Sequence, residues 1–147
     1  SVIESAGWRA GSDIKDLARA HDVTLVDCPG NASNLLEAAL REATLVIVPC
    51  QPTLLDAWAT APVLEMARKE KAEARVLFNR VPPRGGMMAE AEAVLKDAEA
   101  KRLKATLGNR VAFSNGMGQG TTALGLSGSS KAAQEVVALR KEVTRLA

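Results

Sequence analysis

The chain has 147 residues, a formal net charge of +2, 47% apolar residues and 3% aromatic residues. That length allows one domain with its own core, and a core of Ala, Leu and Val favours helices packed on a sheet over a β-sandwich. The small net charge does not indicate a nucleic-acid binder, although it permits a local basic patch. Because no apolar stretch reaches membrane-spanning length and two cysteines suggest no oxidised framework, we expect a cytoplasmic protein without membrane contact.

The apolar patterning predicts strands that alternate with helices. A helix over Asp13–Arg19, with Ser12 as its N-cap, precedes the stretch Val23–Gly30, which reads V-T-L-V-D-C-P-G. Its unbroken apolar run predicts a strand buried on both faces and ending at Asp27. The same reasoning predicts three further strands, Thr44–Val48, Ala74–Asn79 and Arg110–Phe113.

The helices that connect these strands have recognisable starts and apolar stripes. Asn31 or Ser33 can cap the helix that follows Gly30, and in the next helix we expect Leu55 and Trp58 to face the core. An Ala- and Glu-rich helix follows the loop 82–86. Residues 114–130 are rich in Gly, Ser and Thr and predict a loop, and Lys131–Leu146 predicts a closing amphipathic helix.

This alternation predicts an α/β fold with a doubly wound, mostly parallel sheet flanked by helices, in one domain over residues 1–147. Three predicted strands end in a polar residue: Asp27, Gln51 and Asn79. Open α/β sheets bind ligands at the carboxyl ends of their strands, so these residues indicate a site. A carboxylate beside a glycine suits a magnesium-bound polyphosphate, although Asp27 could instead only cap the next helix.

The ordered motifs resemble the ParA/MinD family of P-loop ATPases with a deviant Walker motif. They are D-C-P-G, V-P-C-Q-P-T-L-L-D-A-W, V-L-F-N-R, F-S-N-G-M-G-Q-G-T-T and the closing A-A-Q-E-V helix, and they run from about His21 to the end. Short ParA-type partition ATPases are the nearest branch. The resemblance implies a P-loop NTPase fold, with ATP and Mg²⁺ as ligands.

The resemblance also implies a role for each matching position. Asp27 corresponds to the Walker B carboxylate, which reaches Mg²⁺ through water, and Gly30 to the glycine that senses the γ-phosphate. Asn79, with Arg80 beside it, corresponds to the asparagine that binds adenine. Gln51 and Thr53 match a loop near the nucleotide and the dimer face. Residues 118–122 match a loop that closes over the base.

The family's phosphate loop is the main departure. No G-x-x-x-x-G-K-[ST] motif occurs in the chain, so the triphosphate lacks its usual cradle of backbone N–H groups and lysine. Two strand–helix units of the family pattern are not present before Ser1. We therefore expect the chain to be the C-terminal two-thirds of a complete ATPase domain, and to be inactive by itself.

Two functions compete. In the first, the intact parent is a ParA-type ATPase for plasmid or chromosome partition, a homodimer that sandwiches ATP, binds DNA non-specifically on the nucleoid and is stimulated by a centromere-binding partition protein. In the second, the chain is a degenerate, non-hydrolysing module for binding or dimerisation. For the first, the candidate DNA-binding residues are Arg140, Lys141 and Arg145 on the last helix, and solvated surface is the plain alternative.

Overall fold

The computed structural model describes residues 2–5, 8–28, 33–84 and 88–147. The elements in this part of the chain are α1 (Ala10–Ala20), α2 (Ser33–Glu42), β1 (Val46–Cys50), α3 (Leu54–Lys69), β2 (Ala74–Phe78), α4 (Met88–Asp97), α5 (Val111–Gly118), α6 (Ala123–Leu126) and α7 (Lys131–Leu146). The bounds of α7 are those predicted. Among these elements no helix combines the length and the apolar character that a bilayer crossing requires.

Strands β1 and β2 pair in parallel. The N–H of Val46 donates to Glu73 O at 2.8 Å at one end, and the N–H of Asn79 donates to Cys50 O at 2.9 Å at the other. Pro49, which directly follows the predicted strand Thr44–Val48, lies inside β1. Proline has no N–H to donate, and β1 tolerates it because it pairs on one side only within the described sheet.

Residues 101–109 run beside β2 as an irregular, strand-like segment, the third lane of the sheet. Parallel bridges join Val76 to Arg102 and Val81 to Gly108. The predicted strand Arg110–Phe113 is therefore wrong, because the pairing edge of β2 is already taken when the chain reaches Val111, where α5 begins. The predicted loop over residues 114–130 is also wrong in part, since α5 and α6 occupy much of it.

The predicted buried strand at Val23–Asp27 is wrong in the described structure. These residues have no regular secondary structure, and Val23 and Leu25 are 73% and 91% exposed. A strand is buried on both faces only when neighbouring strands and helices cover it. No strand pairs with this stretch among the described residues, so its apolar side chains stay in solvent.

The chain forms two compact units. The first comprises Ser1–Val46 and Glu65–Glu73, and the second comprises Ile47–Leu64 and Ala74–Ala147. In the first unit α1 packs on α2, and ion pairs join Lys15 to Glu42 at 3.2 Å and Arg41 to Glu70 at 2.9 Å. Arg9 rather than Ser12 is the N-cap of α1, and it makes no side-chain cap bond.

The hydrophobic core of the second unit includes side chains of β2. Val76 and Phe78 are fully buried there, together with Leu103 from the third lane and the two alanines at the start of α7, Ala132 and Ala133. Parallel strands flanked by helices confirm the predicted α/β class.

The buried face of α3 differs from the one predicted. Leu55 and Trp58 are 75% and 56% exposed, whereas Ala57, Thr60, Leu64 and Ala67 are buried. The buried positions repeat every three or four residues, as one helical face requires. Apolar residues lie on both faces of α3, so pattern alone could not decide which one packs.

Candidate functional site

The carboxyl ends of β1 and β2 lie side by side in the second unit. The bond from the Asn79 N–H to Cys50 O closes the ladder there, so Gln51 leaves β1 next to the point where Asn79 and Arg80 leave β2. Gln51 and Arg80 are exposed and Asn79 is half-buried. The sheet thus brings these three predicted residues to one edge, where parallel sheets bind ligands.

A tight turn shapes this edge at Arg80. Its φ is +52°, in the left-handed region that few non-glycine residues adopt. The Asn79 side chain compensates, because its Oδ1 accepts the Arg80 N–H at 2.9 Å. Local backbone strain of this kind concentrates at ligand sites, and the hydrogen bond gives Asn79 a fixed side-chain orientation.

The loop after β1 starts helix α3. Thr53 donates its N–H to Gln51 O at 2.8 Å, and its Oγ1 accepts the Asp56 N–H at 3.2 Å. Thr53 therefore caps the helix, which is a structural role in addition to the predicted one near a nucleotide. Gln51 keeps an exposed side chain at the edge.

Asp27 lies in the first unit, with an exposed side chain. Its neighbour Cys28 has a pKa above the ordinary value, because of burial first and the negative charge of Asp27 second. Gly30 lies outside the described residues. The structure therefore groups Gln51, Thr53, Asn79 and Arg80 within the second unit and places Asp27 within the first.

The two cysteines are free thiols. Burial raises the pKa of Cys50, and its Sγ donates to Gln51 O at 3.2 Å. Such thiols are protonated near neutral pH and act as small apolar groups. The described part of the chain contains no cluster of three side chains suited to hold a metal ion.

Two carboxylates of α7 hold the third lane; the A-A-Q-E-V motif contains Glu135, but the sequence assigned no role to either of them. Glu142 accepts the backbone N–H groups of Lys104 and Ala105 at 2.9 and 2.8 Å. Glu135, two turns earlier, accepts the Gly108 N–H and a two-point ion pair from Arg110. Their spacing of seven residues places both on one helix face, and this spacing was the only available signal.

The basic residues of the second unit include two that form ion pairs and the three predicted to bind DNA. Arg102 contacts Glu92 at 3.3 Å and lies over the Phe78 ring, and Arg110 is held by Glu135. Arg140, Lys141 and Arg145 are exposed as predicted. At about 100° per residue, Lys131, Lys141 and Arg145 lie within about 80° of one another on α7, and Arg140 lies outside that sector.

The parallel strands and their flanking helices form a fold similar to that of MinD. The cell division ATPase MinD of Pyrococcus furiosus superposes with a TM-score of 0.81 and 23% identity, over 97% of this chain and 60% of MinD. The septum site-determining protein MinD of Pyrococcus horikoshii, solved with Mg-ADP, gives a TM-score of 0.81 and 23% identity over 96% of this chain and 58% of that one.

The sequence is similar to that of a curated protein with a positioning role. It is 29% identical to Maintenance of carboxysome distribution protein A of Halothiobacillus neapolitanus over 131 residues, which cover 84% of this chain and 60% of the relative. No family model matches the chain. The predicted resemblance to the ParA/MinD family is confirmed by the fold and by this relative.

The chain spans about 60% of the length of the curated relative and of these solved structures. The fold is therefore established for the part shared with them.

Proposed function

We propose that this chain is part of an ATP-dependent positioning ATPase of the ParA/MinD type. The single observation that carries the proposal is the similarity over 131 residues to a carboxysome distribution protein, in a chain with the MinD fold. Plasmid or chromosome partition is the narrower form, and the carboxysome relative supports positioning as the broader class. Its setting is the cytoplasm, on the nucleoid, without a membrane partner.

The nucleotide site has its base edge at Asn79 and Arg80, with Gln51 and Thr53 beside it. Mg²⁺ commonly takes one or two carboxylates and completes its coordination with phosphates and water. Asp27 has an exposed carboxylate that fits this role, and the described residues offer no larger donor cluster that would suit a metal held by protein alone. Bound Mg²⁺ would neutralise charge on the phosphates, and Asp27 would orient its water shell.

The partners follow from the same proposal. ATP joins two copies of the protein, the dimer binds DNA without sequence preference, and a partition protein bound to the cargo stimulates hydrolysis. Lys141 and Arg145, with Arg140 beside them, provide exposed positive charge for phosphates. Glu142 is close to Arg145 but is directed to the backbone of the third lane, so it does not neutralise the whole face.

A second candidate is a module that binds or dimerises without hydrolysis. Such a module would need no G-x-x-x-x-G-K-[ST] motif, and none occurs within these 147 residues.

Asp27→Asn and Asp22→Asn, made in the product of the complete reading frame that encodes this chain, separate the two candidates. Both residues are exposed acids of the first unit, so Asp22→Asn is the matched control. We expect Mg-dependent ATP hydrolysis that Asp27→Asn lowers at least tenfold and Asp22→Asn leaves intact. ATP binding with no turnover in the wild type would favour the module, and a wild type that binds no ATP would overturn the ATPase proposal.

A further inference from the structure

In the second unit, the Glu135 carboxylate binds the Gly108 N–H in the third lane and the guanidinium of Arg110 just after it. Glu135 Oε2 accepts the Gly108 N–H at 3.1 Å and Arg110 Nε at 2.9 Å, and Oε1 accepts Arg110 Nη2 at 2.6 Å. The Glu135 side chain is 15% exposed and that of Arg110 is 34% exposed, so water screens these bonds in part. Two parallel N–H···O bonds from one guanidinium fix its direction as well as its distance.

Asn109, which lies between Gly108 and Arg110, is bonded to the segment that follows the candidate base edge. Asn109 donates its N–H to Val81 O at 2.8 Å, and Val81 donates to Leu107 O at 3.0 Å. Val81 follows Asn79 and Arg80 by only one or two residues, so the lane borders the turn that holds them. A carboxylate on α7 thus anchors both neighbours of Asn109, and Asn109 is bonded to Val81.

Gly108 makes this arrangement sterically possible. A Cβ on Gly108 would lie 3.0 Å from both Nε and Nη2 of Arg110, closer than ordinary contacts. The guanidinium therefore packs directly on the Gly108 backbone. An alanine at this position would displace the flexible end of Arg110, and so disturb the pairing with Glu135 without touching the core.

We infer that Glu135 is a positioning residue for the base edge, because it holds residues 108–110 against Val81 and so keeps the Asn79–Arg80 turn in place. The role of this turn in binding a base rests on the proposed function, whereas its positioning by Glu135 does not. Glu135 touches no ligand in this role and acts through Arg110 and the Gly108 N–H.

Glu135→Gln is the main test, and Glu142→Gln is its matched control. Both carboxylates lie on the same face of α7 and hold backbone of the same lane, but Glu142 holds its earlier part at Lys104 and Ala105. In the 147-residue chain, we expect Glu135→Gln to speed hydrogen exchange of the Asn109 and Val81 amides about tenfold. Glu142→Gln should leave these two amides within twofold of wild type.

Gly108→Ala provides a second variant, and it should reproduce the exchange pattern of Glu135→Gln. In the product of the complete reading frame, Glu135→Gln should also lower the preference for ATP over GTP about fivefold, a change that general destabilisation would not cause. Unchanged exchange at Asn109 and Val81 in both variants would overturn the inference. If exchange changes but the wild type binds no nucleotide, the positioning stands and the proposed function fails.

Discussion

The amide oxygen of Asn79 is occupied by the backbone N–H of Arg80, at 2.9 Å. The NH₂ group of Asn79 takes no part in that bond and can donate to a ligand, and the oxygen has a second lone pair that can accept. Since Arg80 has a left-handed φ of +52°, the same bond also stabilises the turn. Asn79 thus has a structural function and a proposed recognition function on two different atoms, and they can be separated by mutation.

Asn79→Asp and Asn79→Ala should separate them in the product of the complete reading frame. Asp keeps the acceptor for the Arg80 N–H and loses the NH₂ donor, whereas Ala loses both. We expect both variants to weaken ATP binding and discrimination against GTP, and only Ala to lose about 1 kcal/mol of stability. Calorimetry with both nucleotides and a thermal unfolding curve measure this. Unchanged affinities would leave Asn79 with its turn-stabilising role alone.

The 147-residue chain by itself should bind ATP weakly or not at all and should not hydrolyse it. The physical reason is that no phosphate loop is present to supply converging N–H groups and a lysine to the triphosphate. Calorimetry and a phosphate-release assay with purified chain check this. Magnesium-dependent turnover that Asp27→Asn abolishes would contradict it, because a contaminating ATPase would not respond to that substitution.

The DNA prediction concerns α7. Replacing Arg140, Lys141 and Arg145 with alanine should weaken ATP-dependent DNA binding, and Lys141→Ala with Arg145→Ala should account for most of the loss because these two share a face with Lys131. Each DNA phosphate that the variant no longer neutralises should make the log–log salt slope shallower by about 0.9. Anisotropy titrations at several salt concentrations measure the slope, with Arg140→Ala as the internal comparison. A slope that stays at the wild-type value identifies this face as ordinary solvated surface.

The Arg110–Glu135 pair should make stability depend on pH. The Arg110 bonds, followed by the Gly108 N–H, hold the Glu135 pKa below its ordinary value of 4.5, although burial opposes them. Because the pKa is lower in the folded state, the stabilisation is complete above about pH 4.5. It is lost as the pH falls through the pKa of the folded state. Denaturant unfolding should show Glu135→Gln less stable than wild type at pH 7, with this difference in unfolding free energy closing in acid. A difference in unfolding free energy between the two proteins that does not vary with pH would refute the role of the Glu135 charge.

Leu25 gives a direct test of the exposed stretch in the first unit. Because its side chain is 91% exposed, Leu25→Lys should change the stability of the 147-residue chain by less than about 0.5 kcal/mol and improve its solubility. Leu40→Lys is the contrast, since Leu40 is 2% exposed and should not tolerate a charge. A loss of several kcal/mol in Leu25→Lys would restore the buried strand that the apolar run predicted.

The sequence by itself determined those elements whose pattern of apolar residues lies within a short stretch of the chain. The apolar runs that became β1 and β2 and the amphipathic repeat of α7 were readable because burial on both faces, or on one helical stripe, leaves a periodic trace. The polar residues after β1 and β2 were readable for a related reason: once two strands are parallel, their carboxyl ends share an edge.

Tertiary structure decided the features that depend on a distant partner. Val23–Asp27 and the strand β1 have similar apolar runs, yet only β1 has a neighbouring strand in the described structure, so similar local patterns had opposite outcomes. Residues 101–109 bury only Leu103 and Gly108 and leave little periodic trace, but they pair with β2 through backbone hydrogen bonds and are bound from α7 by Glu135 and Glu142. Those carboxylates lie 25 to 38 residues away along the chain from the groups they bind, a separation that no local pattern records.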